Sequence, residues 1–158
     1  MLTKTNAHFE ELMRIGTEYE EKRRALEERK QEIIDTCGWD SEELKAWYEE
    51  KGKLTYPVAA GACKAYRAWS CSLEKNADEV EMDDFLWDRE VSAFVETLRA
   101  AGIASFIYTN QSTAVMENLH AFEENGCKMD GLTKIKRTAR RFGAEQEETI
   151  LGIHFTVC

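Results

Sequence analysis

Ile103-Ala104-Ser105-Phe106-Ile107-Tyr108-Thr109, followed by Asn110-Gln111-Ser112, is where the pattern of this chain changes. Upstream, apolar residues recur every three or four positions. Here they cluster in a short run and stop at a polar turn, which predicts a strand and a turn. Downstream, Ser112 is placed to cap a helix with Val115, Leu119 and Phe122 on its inner face and Gly126 at its end. Leu132 to Thr138 alternates basic and apolar residues. Thr149 to Val157 puts Leu151, Ile153, Phe155 and Val157 on one face and His154 on the other. A loop around Phe142-Gly143-Ala144 joins these two as a hairpin.

Upstream of Ile103 the reading is helical. Phe9, Leu12, Gly16, Tyr19, Arg23, Leu26, Lys30, Ile33 and Cys37 recur at alternating steps of three and four, a heptad-like seam that ends before Gly38. From Thr5 to Cys37 such a helix would be about 50 Å long, long enough to project or to pack on a second copy. With the seam this suggests self-association or a tightly folded-back helical bundle, a homodimer being the favoured expectation. Asp40 and Glu43 suggest a capping box for a short second helix with Leu44, Trp47 and Tyr48 on its apolar side and Gly52 at its end. Pro57 suits the start of a third helix with Val58, Ala62, Ala65, Trp69 and Leu73 on one face. There the small run Ala59-Ala60-Gly61-Ala62 would admit a neighbouring helix closely. A fourth helix is expected from Asp83 or Asp84, with Trp87, Val91, Phe94, Leu98 and Ala101 buried and Gly102 closing it.

The expected fold class is therefore α+β: a helical N-terminal half, one long helix plus three more, followed by a β-α-β-β unit with a small three-stranded sheet. The expected division is a helical region over 1–76 and an α-β-α-β-β domain over 77–158, separate or continuous.

Composition bounds the function. The chain has 158 residues, 43% hydrophobic and 32% charged, with a formal net charge of −9 and a pI near 5.0. These values exclude a disordered chain and argue against a generic DNA-coating protein. The N-terminus lacks the apolar core of a signal peptide, and no apolar run is long enough for a bilayer. A cytoplasmic location with no membrane partner is expected. Five scattered cysteines, Cys37, Cys63, Cys71, Cys127 and Cys158, form no C-x-x-C pair and read as reduced thiols.

Charge is segregated. Residues 74–96 carry nine acids against Lys75 and Arg89. Among them Glu74, Asp78, Glu79, Glu81, Asp83 and Asp84 are candidates for imitating phosphates in a basic groove of a partner, with helix capping the competing explanation for Asp83 and Asp84. The stretch 128–141 has a net charge of +5. Its Lys134, Lys136, Arg137, Arg140 and Arg141 suit an anionic partner or nucleic acid, with a charged edge strand that blocks aggregation as the competing explanation.

No catalytic residue, metal site or cofactor is assigned. Glu117-Asn118-Leu119-His120 matches one Glu-x-x-His element, where a di-iron bundle needs two plus further glutamates. Leu98 to Gly102 followed by Phe106-Ile107-Tyr108-Thr109-Asn110 resembles the second motif of haloacid-dehalogenase-like phosphatases, in which Thr109 would hold the phosphoryl group. That family also needs a D-x-D nucleophile motif after an earlier strand. No D-x-D precedes Ile103, and no earlier strand is expected, so the likeness is read as shared geometry.

A wider resemblance spans the last seventy or so residues. Trp87-Asp88-Arg89-Glu90-Val91, Tyr108-Thr109-Asn110-Gln111-Ser112-Thr113, Met129-Asp130-Gly131-Leu132 and Leu151-Gly152-Ile153-His154-Phe155 are similar to small proteins of mobile elements in Firmicutes. The resemblance implies genomic company: conjugation accessories, DNA-binding regulators and inhibitors of host defence. Small acidic proteins without enzyme motifs are common among anti-CRISPR inhibitors. The leading expectation is thus a non-enzymatic inhibitor that occludes a basic nucleic-acid groove of a Cas9-type nuclease or its guide complex. The alternative is a nucleic-acid-binding accessory or regulatory protein of a conjugative element that uses the basic hairpin.

Overall fold

A computed structural model describes residues 1–111 and 114–158. The fold is α+β, with a helical N-terminal half followed by the sheet strands. In chain order the elements are α1 (Ala7–Cys37), α2 (Glu42–Lys53), α3 (Ala60–Glu74), β1 (Val80–Met82), α4 (Asp88–Ala100), β2 (Ser105–Tyr108), α5 (Val115–Glu124), β3 (Cys127–Arg141) and β4 (Ala144–Val157). They form two compact units, one of Phe9–Val58 and one of Met1–His8 with Ala59–Cys158. The helix α3, grouped with the helical region in the sequence reading, packs on α4 and β1 within the second of these. Among the described residues no helix is long and apolar enough to cross a membrane.

In the first unit α2 folds back on α1 as a helical hairpin. Trp47 is fully buried and its Nε1 donates to the Leu26 carbonyl at 2.6 Å. Lys30 and Lys51 lie over its ring at 5.0 and 4.8 Å. Beyond α2 the chain runs back along α1, where Tyr56 meets Tyr19 edge-on at 5.0 Å. Much of the seam is only half-buried, including Leu12, Tyr19, Leu26 and Ile33. The α2 cap is Ser41, whose hydroxyl accepts from Leu44 N at 3.2 Å, rather than Asp40. Gly52 does not end the helix, which continues to Lys53.

The second unit is built on a sheet of order β1-β2-β4-β3, in which β1 and β2 are parallel and the remaining pairs antiparallel. The sheet has four strands, not the three expected. The additional strand, β1, is three residues long and lies inside the acidic window, too short for a pattern signal. Val80 and Met82 are fully buried, and Glu81 alternates to the other face. This also overturns the expectation that no strand precedes Ile103. The parallel pair needs a crossover, which α4 supplies. Consequently α4 starts at Asp88, not at Asp83 or Asp84, and Glu90 accepts from Trp87 N at 3.0 Å at its entry. Trp87, expected in the buried stripe, is 48% exposed because it precedes the first turn.

The core joins this sheet to α4 and α5. Phe106 stacks on Phe155 at 5.3 Å, and Phe94 and Phe122 close the aromatic cluster over them. The close approach expected at Ala59–Ala62 is present: a Cβ on Gly61 would stand 2.1 Å from the Glu90 carbonyl of α4. The outer edge of β1 is covered by α3, where Ser72 Oγ accepts from Glu81 N at 2.8 Å and donates to the Ala68 carbonyl at 2.7 Å. α3 begins at Ala60 and not at Pro57. On α5 the buried residues are Asn118, Ala121 and Phe122 rather than Val115 and Leu119. The expected Ser112 cap lies outside the described residues.

Candidate nucleic-acid interface

The strands β3 and β4 are much longer than their neighbours. The last β2–β4 pair is Tyr108 with Ile153. From Gly152 outward, β4 pairs with β3 alone, through to the closing pair Arg141 with Ala144. Gly152 marks the exit: a Cβ there would lie 2.5 Å from Ile107 Cγ2 and 2.9 Å from Thr109 Cγ2. The remaining stretch is a two-stranded ribbon, roughly 30 Å long at about 3.4 Å per residue. Its two-residue tip, Phe142 and Gly143, has positive φ at both positions (51° and 80°), the type I′ pattern that matches the twist of a hairpin. Phe142 is fully exposed.

Register fixes which side chains share a ribbon face. Lys134, Lys136 and Arg140 stand on one face, with Leu132 and, on β4, Leu151, Thr149, Glu147 and Glu145. Leu132 and Leu151 are 71% and 50% exposed. Arg137 and Arg141 stand on the other face and share Glu148 of β4, at 2.6 and 3.0 Å. The two arginines hold the Glu148 carboxyl below its usual range, chiefly through the Arg137 hydrogen bond. Lys134, Lys136 and Arg140 have no ion-pair partner among the described residues. The five predicted bases are thus brought onto one strand. Arg137 and Arg141 are paired with Glu148. Lys134, Lys136 and Arg140 make no direct ion pair among the described residues, although Glu145 stands opposite Arg140 and Lys134 and Lys136 border a cleft with Asp78, Glu79 and Glu81.

The predicted acidic set is dispersed instead. Asp84 pairs with Arg67 at 3.1 Å, and Asp83 and Glu81 share Lys75 at 3.6 and 3.9 Å. Burial pushes the Glu81 carboxyl up, against the pull of Lys75, so it ionises less readily. Glu79 accepts from Ser105 and His154. Glu74 and Asp78 are the exposed members flanking the α3–β1 turn, Asp83 being exposed but held by Lys75.

A polar cluster not found in the sequence ties the sheet to the base of the ribbon. His154 of β4 lies between Glu79 (Nε2, 3.0 Å) and Asp130 (Nδ1, 3.1 Å), and Thr156 also donates to Asp130. Asp130 reaches this position from the irregularity in β3 between Met129 and Gly131. Burial alone would lower the imidazole pKa, but the two carboxylates outweigh it and hold it above the usual value. In its charged form the ring would donate from both nitrogens, one to each carboxylate. Thr109, the residue of the phosphatase-like motif, turns its hydroxyl to the Met82 carbonyl at 3.4 Å and is buried. His120 is an exposed partner of Glu124 at 3.3 Å.

A family model described as a domain of unknown function, DUF7698, matches residues 64–157, from within α3 to the end of β4. The chain belongs to this family. No curated protein and no solved structure matches it. The DUF7698 segment contains the whole sheet, the His154 cluster and the ribbon, whereas α1 and α2 lie outside it.

Two features of the interface escaped the sequence reading. The tip pair Phe-Gly lacks the Asn-Gly signature of a type I′ turn, so the exposure of Phe142 was not foreseen. The His154 cluster joins residues 79, 105, 130, 154 and 156, with no local spacing to mark it.

Proposed function

We infer that this protein binds nucleic acid through the β3–β4 ribbon, as a non-enzymatic accessory or regulatory protein of a mobile element. The observation that carries the reading is the ribbon itself. It is a two-stranded arm that leaves the sheet and bears Lys134, Lys136 and Arg140, none of them in a direct ion pair among the described residues, and an exposed aromatic ring at its end. Ribbons of this kind enter nucleic-acid grooves in other folds, and unneutralised bases supply affinity by releasing counterions. An isolated two-stranded hairpin is marginally stable in water, so an arm of this length gains order from a ligand. The occlusion reading has less support, because most of the acidic set is engaged within the protein.

The test is fluorescence anisotropy with labelled single- and double-stranded DNA and RNA. Three phosphate contacts give a log–log salt slope near −2 on a single strand, about a 20-fold loss between 50 and 200 mM salt. Lys134→Gln/Lys136→Gln/Arg140→Gln should abolish the slope and most of the binding. No binding at about 50 mM salt refutes the reading. Inhibition of a Cas9-type nuclease without nucleic-acid binding would favour occlusion instead.

A further inference from the structure

We propose that Phe142 is a base-stacking tip and that the ribbon's target carries unpaired bases, as a single strand or a fork, rather than continuous duplex. The proposal rests on the reading of the ribbon as a nucleic-acid arm.

The backbone at the tip is the first observation. Phe142 has φ 51°, a region that bulky side chains adopt at a cost and that Asn or Gly would occupy with less strain. Its ring is fully exposed, so no packing within the protein repays that cost. A strained residue whose side chain does nothing for the fold points to a ligand. Arg140 and Arg141 precede the ring and Ala144 closes the turn opposite Arg141. On one side the ring follows Arg140, which makes no direct ion pair among the described residues, and Arg141, which is held by Glu148; on the other, beyond Gly143, stands the small side chain of Ala144.

The second observation is the asymmetry of charge across the ribbon. All five bases lie on β3, and Glu145, Glu147 and Glu148 lie on β4. One phosphate backbone can follow β3. Glu145 and Glu147 stand on the same face as Lys134, Lys136 and Arg140 but one strand over, about 4.8 Å away. The cationic strip therefore has room for one backbone along β3, and a second backbone beside it would lie over the carboxylates. Continuous duplex also hides its base faces in the stack and offers groove edges and phosphates only. An exposed ring finds a π-face where bases are unpaired, and stacking there is tolerant of sequence.

The experiment compares a single strand, a fork and a blunt duplex of equal length, each with 2-aminopurine at successive positions. Phe142→Asn is the informative variant, because Asn suits the turn and its thermal melt should equal or exceed that of the wild type. Phe142→Leu keeps an apolar tip without a ring. Wild type should bind the single strand or fork at least about tenfold more tightly than the duplex and change 2-aminopurine emission at one position. Phe142→Asn should weaken that binding roughly 5- to 150-fold, the range for loss of one stacked base, with the salt slope unchanged. Phe142→Leu should lose the emission change. Salt-dependent binding that Phe142→Asn leaves intact, or duplex bound as tightly as single strand, overturns the tip assignment alone. A protein that binds none of the probes overturns the ribbon reading and the tip assignment with it.

Discussion

Gly61 offers a sharp test of the packing beneath the sheet. In α3 a Cβ at this position would lie 2.1 Å from the Glu90 carbonyl oxygen, 2.8 Å from Phe94 N and 3.1 Å from Ala93 Cβ. An ordinary C···O contact is about 3.3 Å, so Gly61→Ala must part the two helices by roughly 1 Å. The obstructing atoms are α4 backbone and cannot rotate aside. Overpacking of this kind costs about 1–3 kcal/mol, and the backbone contact places Gly61→Ala in the upper part of that range. Alanine's better helix propensity returns up to about 1 kcal/mol. The net loss is about 1–2 kcal/mol, or roughly 2–8 °C in melting temperature for a chain of this size. Gly52 in α2 is the control, since a Cβ there meets nothing within 4 Å. Gly52→Ala should stabilise the helical hairpin by up to about 1 kcal/mol. Urea denaturation followed by circular dichroism reads both variants. The chain forms two units, so two transitions are resolved if they unfold separately. A Gly61→Ala protein that unfolds at or above the wild-type midpoint would refute the close-approach argument.

The His154 cluster makes stability depend on pH in two windows. The raised histidine pKa contributes stability that is complete below its unfolded value near 6.5 and is lost as pH rises through the folded value; Glu79 and Asp130, both held low, contribute above the usual carboxylate range and lose it in acid. His154→Gln should flatten the neutral-to-alkaline fall in a pH series of melts, and an unchanged profile would remove the imidazolium. Neutralising the exposed pair with Glu74→Gln/Asp78→Asn should tighten nucleic-acid binding most at about 10 mM salt, where the Debye length is about 30 Å, and less at physiological salt, where Asp78 still acts on Lys134 and Lys136 across the cleft they share. Weakened binding to a basic protein partner would instead support occlusion.

The helices were legible because their signals are local. α1, α3 and α4 announce themselves through three- and four-residue spacing, and the close helix contact at Gly61 was visible as a run of small residues. β4 was legible through Ile153, Phe155 and Val157 on one side of His154. β1 was not, because one apolar-acid-apolar triplet carries too little pattern. Its sheet position comes from pairing with Phe106–Tyr108, a tertiary fact. Missing it also displaced the start of α4 onto Asp83 and Asp84, where acids looked like caps. The basic bias of β3 was legible as charge. Which bases are held in direct ion pairs was not, because Glu148 lies across the hairpin from Arg137 and its value depends on register. Asn118 was hidden for a related reason. It reads as a polar helix residue, yet it is fully buried and donates to the Leu86 carbonyl at 2.6 Å.

An acidic protein with a nucleic-acid arm is consistent physics when the two charges are separated in space. The chain carries −9 in total, yet 128–141 carries +5. At physiological salt exposed charges are screened over about 8 Å, and the ribbon extends roughly 30 Å beyond Gly152. The tip is then several screening lengths from Glu79 and Asp130 at the base of the ribbon, while Glu145, Glu147 and Glu148 of β4 remain close to it. On the proposed reading a polyanion at β3 would feel Lys134, Lys136 and Arg140 together with the carboxylates of Glu145 and Glu147, and at the base of the ribbon those of Asp78, Glu79 and Glu81. Binding on that reading would be weak and local rather than a coating of the target. That selectivity places the affinity in a few side chains: Lys134, Lys136, Arg140 and the ring of Phe142.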